Sequence, residues 1–281
     1  MTEPLIRDIS DTARWVAVYR ARESERPDAV FHDPHARALA GERGERIAAA
    51  LADQNFEWSV VARTHAFDRF LIKELAAGAD QVLNLAAGLD TRPYRLDLPA
   101  SLRWIEVDLP EILDYKEAIL GDAKPVCALE RVRLDLANQD ARRGLFASVA
   151  RRGARTIVMS EGLLIYLMAG EVCALARDLA EPPTFDRWIV DIVSPALMKM
   201  IDEQSGPVMR EAGAPFLFAP ADGPAFFERC GWQPLGVKSL LKTAASLGRL
   251  PVFLRLMAAL PEGPQPYASR PWSGICLLGR R

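Results

Sequence analysis

The sequence predicts an α/β protein whose core is a Rossmann-like, mostly parallel sheet. Three observations favour this fold. Residues 1–78 show helical periodicity without a convincing strand, short runs rich in Val, Ile and Leu then alternate with helical stretches, and a Met- and Pro-rich segment interrupts the alternation after residue 194. Alternating strands and helices are typical of a parallel sheet covered on both faces. We therefore expect a helical extension, a covered sheet and a late helical insertion.

The first 78 residues are predicted as an N-terminal helical extension. Three segments carry the helical pattern: 11–19, 34–51 and 58–77. Asp11 and Thr12 are residues that favour a helix start, and Gly78 is a residue that commonly ends one. The remaining residues, 79–281, are predicted as one domain that carries the sheet.

Five apolar runs in this domain are predicted as parallel strands. They are QVLNLA (81–86), RWIEVD (103–108), ERVRLDL (130–136), RTIVMSEG (155–162) and RWIVDIVS (187–194). Two further strands, at 232–237 and at SGICLLG (273–279), form a terminal pair, which makes seven strands with an antiparallel last strand. The helical insertion, about 195–230, follows a strand and is a candidate lid over the ligand crevice.

The composition is that of an ordinary globular chain with a large core. Its 281 residues are 50% hydrophobic and 26% charged, with a formal net charge of -2 and a pI near 6.0. This balance predicts neither nucleic acid nor a membrane as partner, and the start of the chain shows no signal segment, so we expect a cytoplasmic protein. The oligomeric state stays open. The four cysteines are scattered, and we expect reduced, buried thiols.

The turn NLAAGLDTRPYRL (84–96) follows the first strand and contains one glycine, Gly88, close to Asp90. A pyrophosphate is bound by backbone N–H groups that several glycines leave exposed, and a nearby carboxylate is unfavourable to it. Carboxylates also follow the next three strands, at Glu106 and Asp108, at Asp135 and at Glu161. Because ligands of such sheets bind at the carboxyl ends of the strands, this set predicts a cationic ligand with amine and hydroxyl donors.

Each carboxylate has two possible interpretations. A carboxylate that ends the second strand binds ribose hydroxyls in nucleotide sites, and Asp135 with Leu136 suits an adenine amine and ring. Alternatively, acidic residues after strands only cap the helices that follow them. Four strands with the same feature favour the ligand interpretation.

Six blocks of the sequence carry a resemblance to a known family. They are FHDPHARALAG (31–41), ARTHAFDRFL (62–71), NLAAGLDTRPYRL (84–96), RWIEVDLPEILDYK (103–116), LDL (134–136) and SEGLLIYL (160–167). Together they resemble the leucine carboxyl methyltransferase family, including its bacterial S-adenosylmethionine-dependent O-methyltransferases associated with polyketide-type metabolism. The resemblance runs from about residue 20 to residue 167, and it implies the class I methyltransferase sheet.

The resemblance also implies a role for individual residues toward S-adenosylmethionine. Gly88 and Asp90 belong to the cofactor loop, Asp108 to the ribose, Asp135 and Leu136 to the adenine, Glu161 to the methionine portion and Arg63 to the cofactor's carboxylate. One position departs from the pattern, because the G-x-G of many members is Ala86-Ala87-Gly88 here. This cofactor has a sulfonium, an ammonium group and no phosphate, which suits a turn with one glycine.

The resemblance implies methyl transfer to an oxygen, with a carboxylate as acceptor. The Met- and Phe-rich insertion predicts that the acceptor is a small apolar molecule, a polyketide-like acid or a phenol. A carboxylate acceptor needs no general base, whereas a hydroxyl acceptor does. Tyr166 and Tyr94 are the candidates on the acceptor side, and the Met- and Phe-rich segment 198–227 is a candidate apolar pocket. No metal is predicted, since His32 and His35 lack a third ligand, and His65 is interpreted as structural.

Two other classes remain open from the residues alone. A nicotinamide-dependent dehydrogenase, an NAD(P) oxidoreductase, shares the sheet but has two or three glycines in the first turn. A non-catalytic protein that binds the cofactor or a partner also fits, because cofactor motifs do not guarantee an acceptor site. Within the enzyme interpretation, the C-terminus of a protein is a third kind of acceptor.

Overall fold

The computed structural model describes residues 5–7, 9–51, 56–153, 155–262, 267 and 270–281. These residues form a seven-stranded sheet in the order β3-β2-β1-β4-β5-β7-β6. The strands are β1 (Gln81–Leu85), β2 (Arg103–Asp108), β3 (Ala128–Arg133), β4 (Thr156–Ser160), β5 (Phe185–Val193), β6 (Trp232–Ser239) and β7 (Ser273–Arg280). The first five are parallel, and β7 runs antiparallel to β5 and β6. The predicted fold class is confirmed.

Helices surround the sheet, and three of them precede β1. They are α1 (Ile9–Ser24), α2 (Ala36–Ala50), α3 (Glu57–Ala76), α4 (Arg92–Arg95), α5 (Pro110–Leu120), α6 (Gln139–Ala150), α7 (Ala169–Ala180), α8 (Pro195–Glu211), α9 (Leu240–Ser246) and α10 (Val252–Ala259). Leu164–Tyr166 and Gly223–Cys230 form 3-10 helices. Within the described parts of the chain, no helix has the length and apolarity needed to cross a membrane. The division into an extension and a domain stays a prediction.

The first helix, α1, begins at Ile9, before residue 11 where the sequence predicted its start. Asp11 lies in the first turn of α1 and does not precede it. Its carboxylate accepts a hydrogen bond from the backbone N–H of Arg7 at 2.9 Å and pairs with the buried Arg43 of α2 at 2.7 Å. This acid therefore joins the two helices through a buried ion pair.

Both faces of the sheet are covered at its inner strands, which explains the continuous apolar runs there, whereas the outer strands β3 and β6 are partly exposed. Side chains of successive strand residues point to opposite faces. Leu83, Ile105, Val158 and Val190 pack on one face with α6 and α7, and Val82, Trp104, Ile157 and Ile189 pack on the other with α3 and α9. The carboxyl ends of the strands are thereby held rigidly between two helical layers.

The expectation of four reduced cysteines is wrong for one pair. Cys173 of α7 and Cys230 are joined in a disulfide, with Cα atoms 5.4 Å apart and a separation of 57 positions in the chain. The packing of α7 on the 3-10 helix brings them together, and sequence spacing could not show this contact. Cys127 and Cys276 are free and buried, as expected, and burial raises the pKa of both thiols.

Candidate active site

A cavity of about 360 Å³ lies at the carboxyl ends of β1, β2, β4 and β5. The switch in strand order falls between β1 and β4, which is where open α/β sheets bind ligands. Polar residues that end or follow the strands form its floor: Gly88, Asp90, Asp108, Glu161 and Asp191. Apolar residues of α1, α3 and α8 form its roof: Trp15, Val16, Tyr19, Val60, Leu197, Ile201 and Met209. The cavity therefore has a charged side at the strand ends and an opposite side on which apolar and aromatic side chains predominate, interspersed with the hydroxyls of α1, α3 and α8.

The turn after β1 enters the cavity with two residues in the left-handed region. Gly88 has φ +48° and Ala86 has φ +50°. The N–H of Gly88 donates to Asp108 Oδ2 at 2.6 Å, and the N–H of Leu109 donates to Asp108 Oδ1 at 2.8 Å. Asp108 thus holds the turn against the end of β2 and still lines the cavity. Burial raises the pKa of Asp108, and its two backbone hydrogen bonds oppose that shift.

The left-handed backbone at Ala86 predicts an unusual response to glycine. A left-handed conformation costs a non-glycine residue roughly 1–2 kcal/mol, whereas glycine loses roughly 0.5–1 kcal/mol through its greater freedom in the unfolded chain. Ala86→Gly is therefore expected to leave the free energy of unfolding unchanged or raise it by up to about 1 kcal/mol. Ala87→Gly, beside it, is expected to lower that free energy by about 0.5–1 kcal/mol. Urea titration measures both, and equal losses would contradict the assignment of strain to Ala86.

Arg63 lies between two carboxylates at the ends of β4 and β5. Its Nε is 3.1 Å from Glu161 Oε1, and its Nη1 is 3.5 Å from Asp191 Oδ2. The N–H of Gly162 donates to Asp191 Oδ1 at 2.8 Å. Burial raises the pKa of Asp191, although the positive charge of Arg63 opposes the shift. The two carboxylates and one guanidinium line the same side of the cavity.

Arg92 forms a second, deeper centre of charge. This side chain is 2% exposed and lies 2.6 Å from Asp68, 2.9 Å from Asp90 and 2.8 Å from Glu161. Asn84 also donates to Asp90 Oδ2 at 2.8 Å. Burial alone would raise the pKa of Asp90, but Arg92 holds it well below its usual value. Asp90 is therefore a buried anion fixed by its neighbours.

Counted with the partners of its arginines, the cavity has more acids than bases. Four carboxylates and four arginines line it, and two of these arginines, Arg20 and Arg95, pair with Asp33 and Asp68 behind the lining. Arg63 and Arg92 face the carboxylates of Asp90, Glu161 and Asp191. Asp108 adds a further carboxylate that forms no ion pair with a described residue. An excess of negative charge in a largely enclosed site favours a cationic ligand and disfavours phosphate.

Two of the residues predicted to bind the cofactor lie outside the cavity lining. Asp135 is exposed after β3 and accepts from the N–H of Ala137 at 2.9 Å, and Leu136 is partly buried beside it. This contact closes a local turn, and it is the side chain of Asn138 that caps the helix that follows, α6. The contact of both residues with adenine stays a prediction. Glu106, which follows the same pattern in sequence, is fully buried and pairs with Lys116 and Arg131.

The two candidate tyrosines lie in different places. Tyr166 lines the main cavity, where its ring lies 5.9 Å from that of Phe216 and its hydroxyl bonds to Thr12. Burial raises the pKa of Tyr166. Tyr94 lines a separate surface cavity and accepts a hydrogen bond from Arg131 at 2.6 Å. The structure therefore brings Tyr166, and not Tyr94, together with Arg63 and Glu161.

The segment 198–227, which was predicted to form an apolar pocket, contributes only some of its residues to the roof of the cavity. Met209 and Phe216 line the cavity, whereas Phe226 and Phe227 pack in the core against Trp188 and its neighbours. An aromatic group from the first helices completes the roof: Trp15 lies 5.9 Å from Tyr19 and 5.6 Å from Phe56, measured between ring centroids. The N-terminal helices thus enclose the site together with α8.

Sequence reasoning missed two residues of the floor. Asp191 lies near the carboxyl end of β5. Val190 of β5 is in register with Ser160 of β4, so the next residues along the two strands, Asp191 and Glu161, lie side by side. The signal was present, since the fifth run contains this one acid in its carboxyl-terminal half. Thr64 also lines the cavity, and nothing in the sequence separates it from other helical threonines.

Comparisons with known proteins agree with this geometry. The family model described as leucine carboxyl methyltransferase matches residues 13–180. A Frankia alni protein that bears the name of an S-adenosyl-L-methionine-dependent methyltransferase is 34% identical to this chain over 258 residues. The matched residues cover 85% of this chain and 88% of that protein.

Two solved structures share the fold at low identity. A DUF574 family protein of Streptomyces avermitilis is 18% identical with a TM-score of 0.58, over 96% of this chain and 97% of the other. A protein of Thermobifida fusca that is named as a methyltransferase is 17% identical with a TM-score of 0.58. The match covers 99% of this chain and 96% of the other. The chain therefore belongs to the leucine carboxyl methyltransferase family and to the enzyme class of S-adenosylmethionine-dependent methyltransferases.

Proposed function

We propose that this enzyme transfers a methyl group to an oxygen of a small apolar acceptor, with a carboxylate as the preferred nucleophile. The observation that carries this proposal is the two-sided lining of the cavity. Charged groups and the turn after β1 lie at the strand ends, and aromatic and aliphatic side chains of α1, α3 and α8 lie opposite them. One side suits a polar cofactor, and the other suits an apolar molecule.

The polar side fits S-adenosylmethionine in its donors and in its charge. Asp108 offers carboxylate oxygens to vicinal ribose hydroxyls, and Gly88 has no side chain between its backbone and the cavity. Glu161 and Asp191 suit the ammonium and sulfonium charges, and Arg63 suits the carboxylate. When bound, the cofactor supplies a methyl group on a positively charged sulfur, which an oxygen nucleophile can displace.

The residues of this chain would act by positioning and by excluding water. Aligning a nucleophile with a methyl donor is worth up to roughly 7–11 kcal/mol of the barrier when the reacting atoms are well oriented. None of the three histidines lines the cavity, so the usual general base is lacking there. A carboxylate acceptor is already nucleophilic at neutral pH and needs no base. This favours a carboxylate over a hydroxyl acceptor.

Asp191 supports a phenolic hydroxyl as the second candidate acceptor. Its carboxylate lines the cavity, and burial raises its pKa, which makes it a better proton acceptor than an exposed aspartate. The two acceptors predict different pH profiles. Methylation of a carboxylate should be independent of pH above about pH 5, whereas methylation of a phenol should rise with pH as the base ionises.

A methyl-transfer assay on matched acceptors tests the proposal. Aryl and alkyl carboxylic acids, the corresponding phenols and alcohols, and a peptide that ends in leucine are incubated with the enzyme and S-adenosylmethionine, and products are identified by mass spectrometry. The expected product is the methyl ester of an apolar acid. Preference for the peptide, or methylation on nitrogen or carbon, would contradict the proposal.

A pair of roof variants tests the position of the acceptor. Phe216 lines the cavity, and its neighbour Leu217 is 45% exposed and does not. Phe216→Ala is expected to raise the acceptor's KM about tenfold, since it removes an apolar contact worth roughly 1.5 kcal/mol or more, and to leave the affinity for S-adenosylmethionine unchanged. Leu217→Ala is expected to change neither. Equal effects of the two variants would place the acceptor elsewhere.

A further inference from the structure

Thr64 is a cavity-lining residue whose buried hydroxyl has no hydrogen-bond partner among the described residues. Its side chain lies on α3, and the residue is 1% exposed. A buried hydroxyl without a partner costs roughly 1–3 kcal/mol, and helical threonines commonly avoid this cost by bonding to the carbonyl one turn earlier. An unsatisfied hydroxyl in a ligand cavity indicates a ligand atom as its partner.

The position of Thr64 on α3 places it beside the charged floor. Val60, Arg63 and Thr64 all line the cavity and share one face of the helix. Asp68, one turn further along α3, holds Arg92 and Arg95. Thr64 therefore lies one helical turn from the carboxylate that pairs with Arg92, and it lines the same cavity as Arg63 and Arg92.

Donors that remain uncommitted there suit a carboxylate. Arg92 donates hydrogen bonds from Nε to Asp68 and from Nη1 to Asp90, and its Nη2 lies 2.8 Å from Glu161 as an ion pair without a hydrogen bond. Arg63 uses Nε and Nη1 on Glu161 and Asp191, and its Nη2 forms no hydrogen bond to a described residue. The Thr64 hydroxyl and this Nη2 are thus two donors without acceptors, and a carboxylate offers two acceptor oxygens.

We propose that Thr64 donates a hydrogen bond to the carboxylate at the amino-acid end of S-adenosylmethionine, next to Arg63. The inference rests on the cofactor of the proposed function and adds a residue to its binding site. The ammonium and sulfonium groups go to the carboxylates that line the cavity.

Calorimetry with four ligands tests the proposal without any acceptor or turnover. S-adenosylmethionine and S-adenosylhomocysteine carry the carboxylate, decarboxylated S-adenosylmethionine lacks only the carboxylate, and methylthioadenosine lacks the whole amino-acid end. Thr64→Val keeps the shape of the side chain and removes the hydroxyl. It is expected to weaken the first two ligands about tenfold and to leave the other two unchanged. Thr64→Ser is expected to restore most of the affinity.

Thermal unfolding supplies a second measurement, in which loss of the hydroxyl should not destabilise the ligand-free protein although it weakens ligand binding. Because the hydroxyl has no partner in the ligand-free protein, Thr64→Val should unfold at the same temperature or a higher one, while its stabilisation by S-adenosylmethionine falls. Unchanged affinity for S-adenosylmethionine, or an equal loss for all four ligands, would overturn the proposal. Either result leaves methyl transfer to an oxygen standing, since the transfer assay tests that separately.

Discussion

Arg92→Met is expected to lower the free energy of unfolding by about 3–5 kcal/mol, the range typical of removing one partner from a buried ion pair. Arg92 is 2% exposed, and its guanidinium contacts Asp68, Asp90 and Glu161. Methionine keeps the apolar stem and removes the charge, so the carboxylates lose their shared cation. Urea denaturation at pH 7 measures the loss.

The control for Arg92 is an exposed arginine with similar partners. Arg133 pairs with Asp114 and Glu117 at the surface, with its side chain 37% exposed. Arg133→Met should lower the free energy of unfolding far less than Arg92→Met, because exposed ion pairs contribute little. Comparable losses for the two variants would contradict the view that burial makes Arg92 essential.

The loss of unfolding free energy in Arg92→Met should also become smaller as the pH falls. Arg92 holds the pKa of Asp90 well below its usual value in the folded protein, against the effect of burial. A lowered folded pKa contributes stability above the unfolded value of about 3.9, and this contribution is lost as the pH falls. In the variant, burial raises the pKa and protonation relieves the unpaired charge. The difference between the two proteins should therefore narrow as the pH is lowered from 7 toward 4.

Asp108→Asn is expected to weaken S-adenosylmethionine binding about 10- to 100-fold. Both carboxylate oxygens of Asp108 already accept backbone N–H groups, from Gly88 and from Leu109, and both retain lone pairs for ribose hydroxyls. An amide replaces one acceptor with a donor, so it loses hydrogen bonds to a charged group worth roughly 1.5–3 kcal/mol. Calorimetry measures the change in Kd.

Asp114 provides the matched control for Asp108. It lies on α5, six residues further along the chain, and its exposed carboxylate pairs with Arg133. Asp114→Asn should leave the Kd for S-adenosylmethionine unchanged. If Asp108→Asn also bound normally, Asp108 would serve only to hold the turn after β1, and its assignment to the ribose would be wrong.

The sheet could be predicted from the sequence because its signal is local. The strands of this core are short apolar runs separated by helical periods, and burial on both faces makes the inner runs continuous. The strand-end rule then placed Gly88, Asp90, Asp108 and Glu161 at one edge before any contact was known. These four residues do line the cavity.

The rest of the site depends on contacts between distant parts of the chain. The role of α1 in the roof arises from packing of Trp15 and Tyr19 near Phe56, and no periodicity shows which helix covers which strand end. The Cys173–Cys230 disulfide has the same origin. Tyr94 was predicted to face the acceptor and does not. Its sequence neighbours Arg92 and Arg95 line the main cavity, whereas Tyr94 itself lines the separate surface cavity. Sequence adjacency does not determine the direction of a side chain.

The central claim, that the cavity at the strand ends binds S-adenosylmethionine, is tested most directly by calorimetry of the unaltered protein and of Arg63→Ala with S-adenosylmethionine and, separately, with NADH. The account predicts micromolar binding of S-adenosylmethionine, at least tenfold weaker binding in Arg63→Ala because the cofactor's carboxylate loses its cation, and no binding of NADH. Binding of NADH, or binding of S-adenosylmethionine that is indifferent to Arg63, would contradict it.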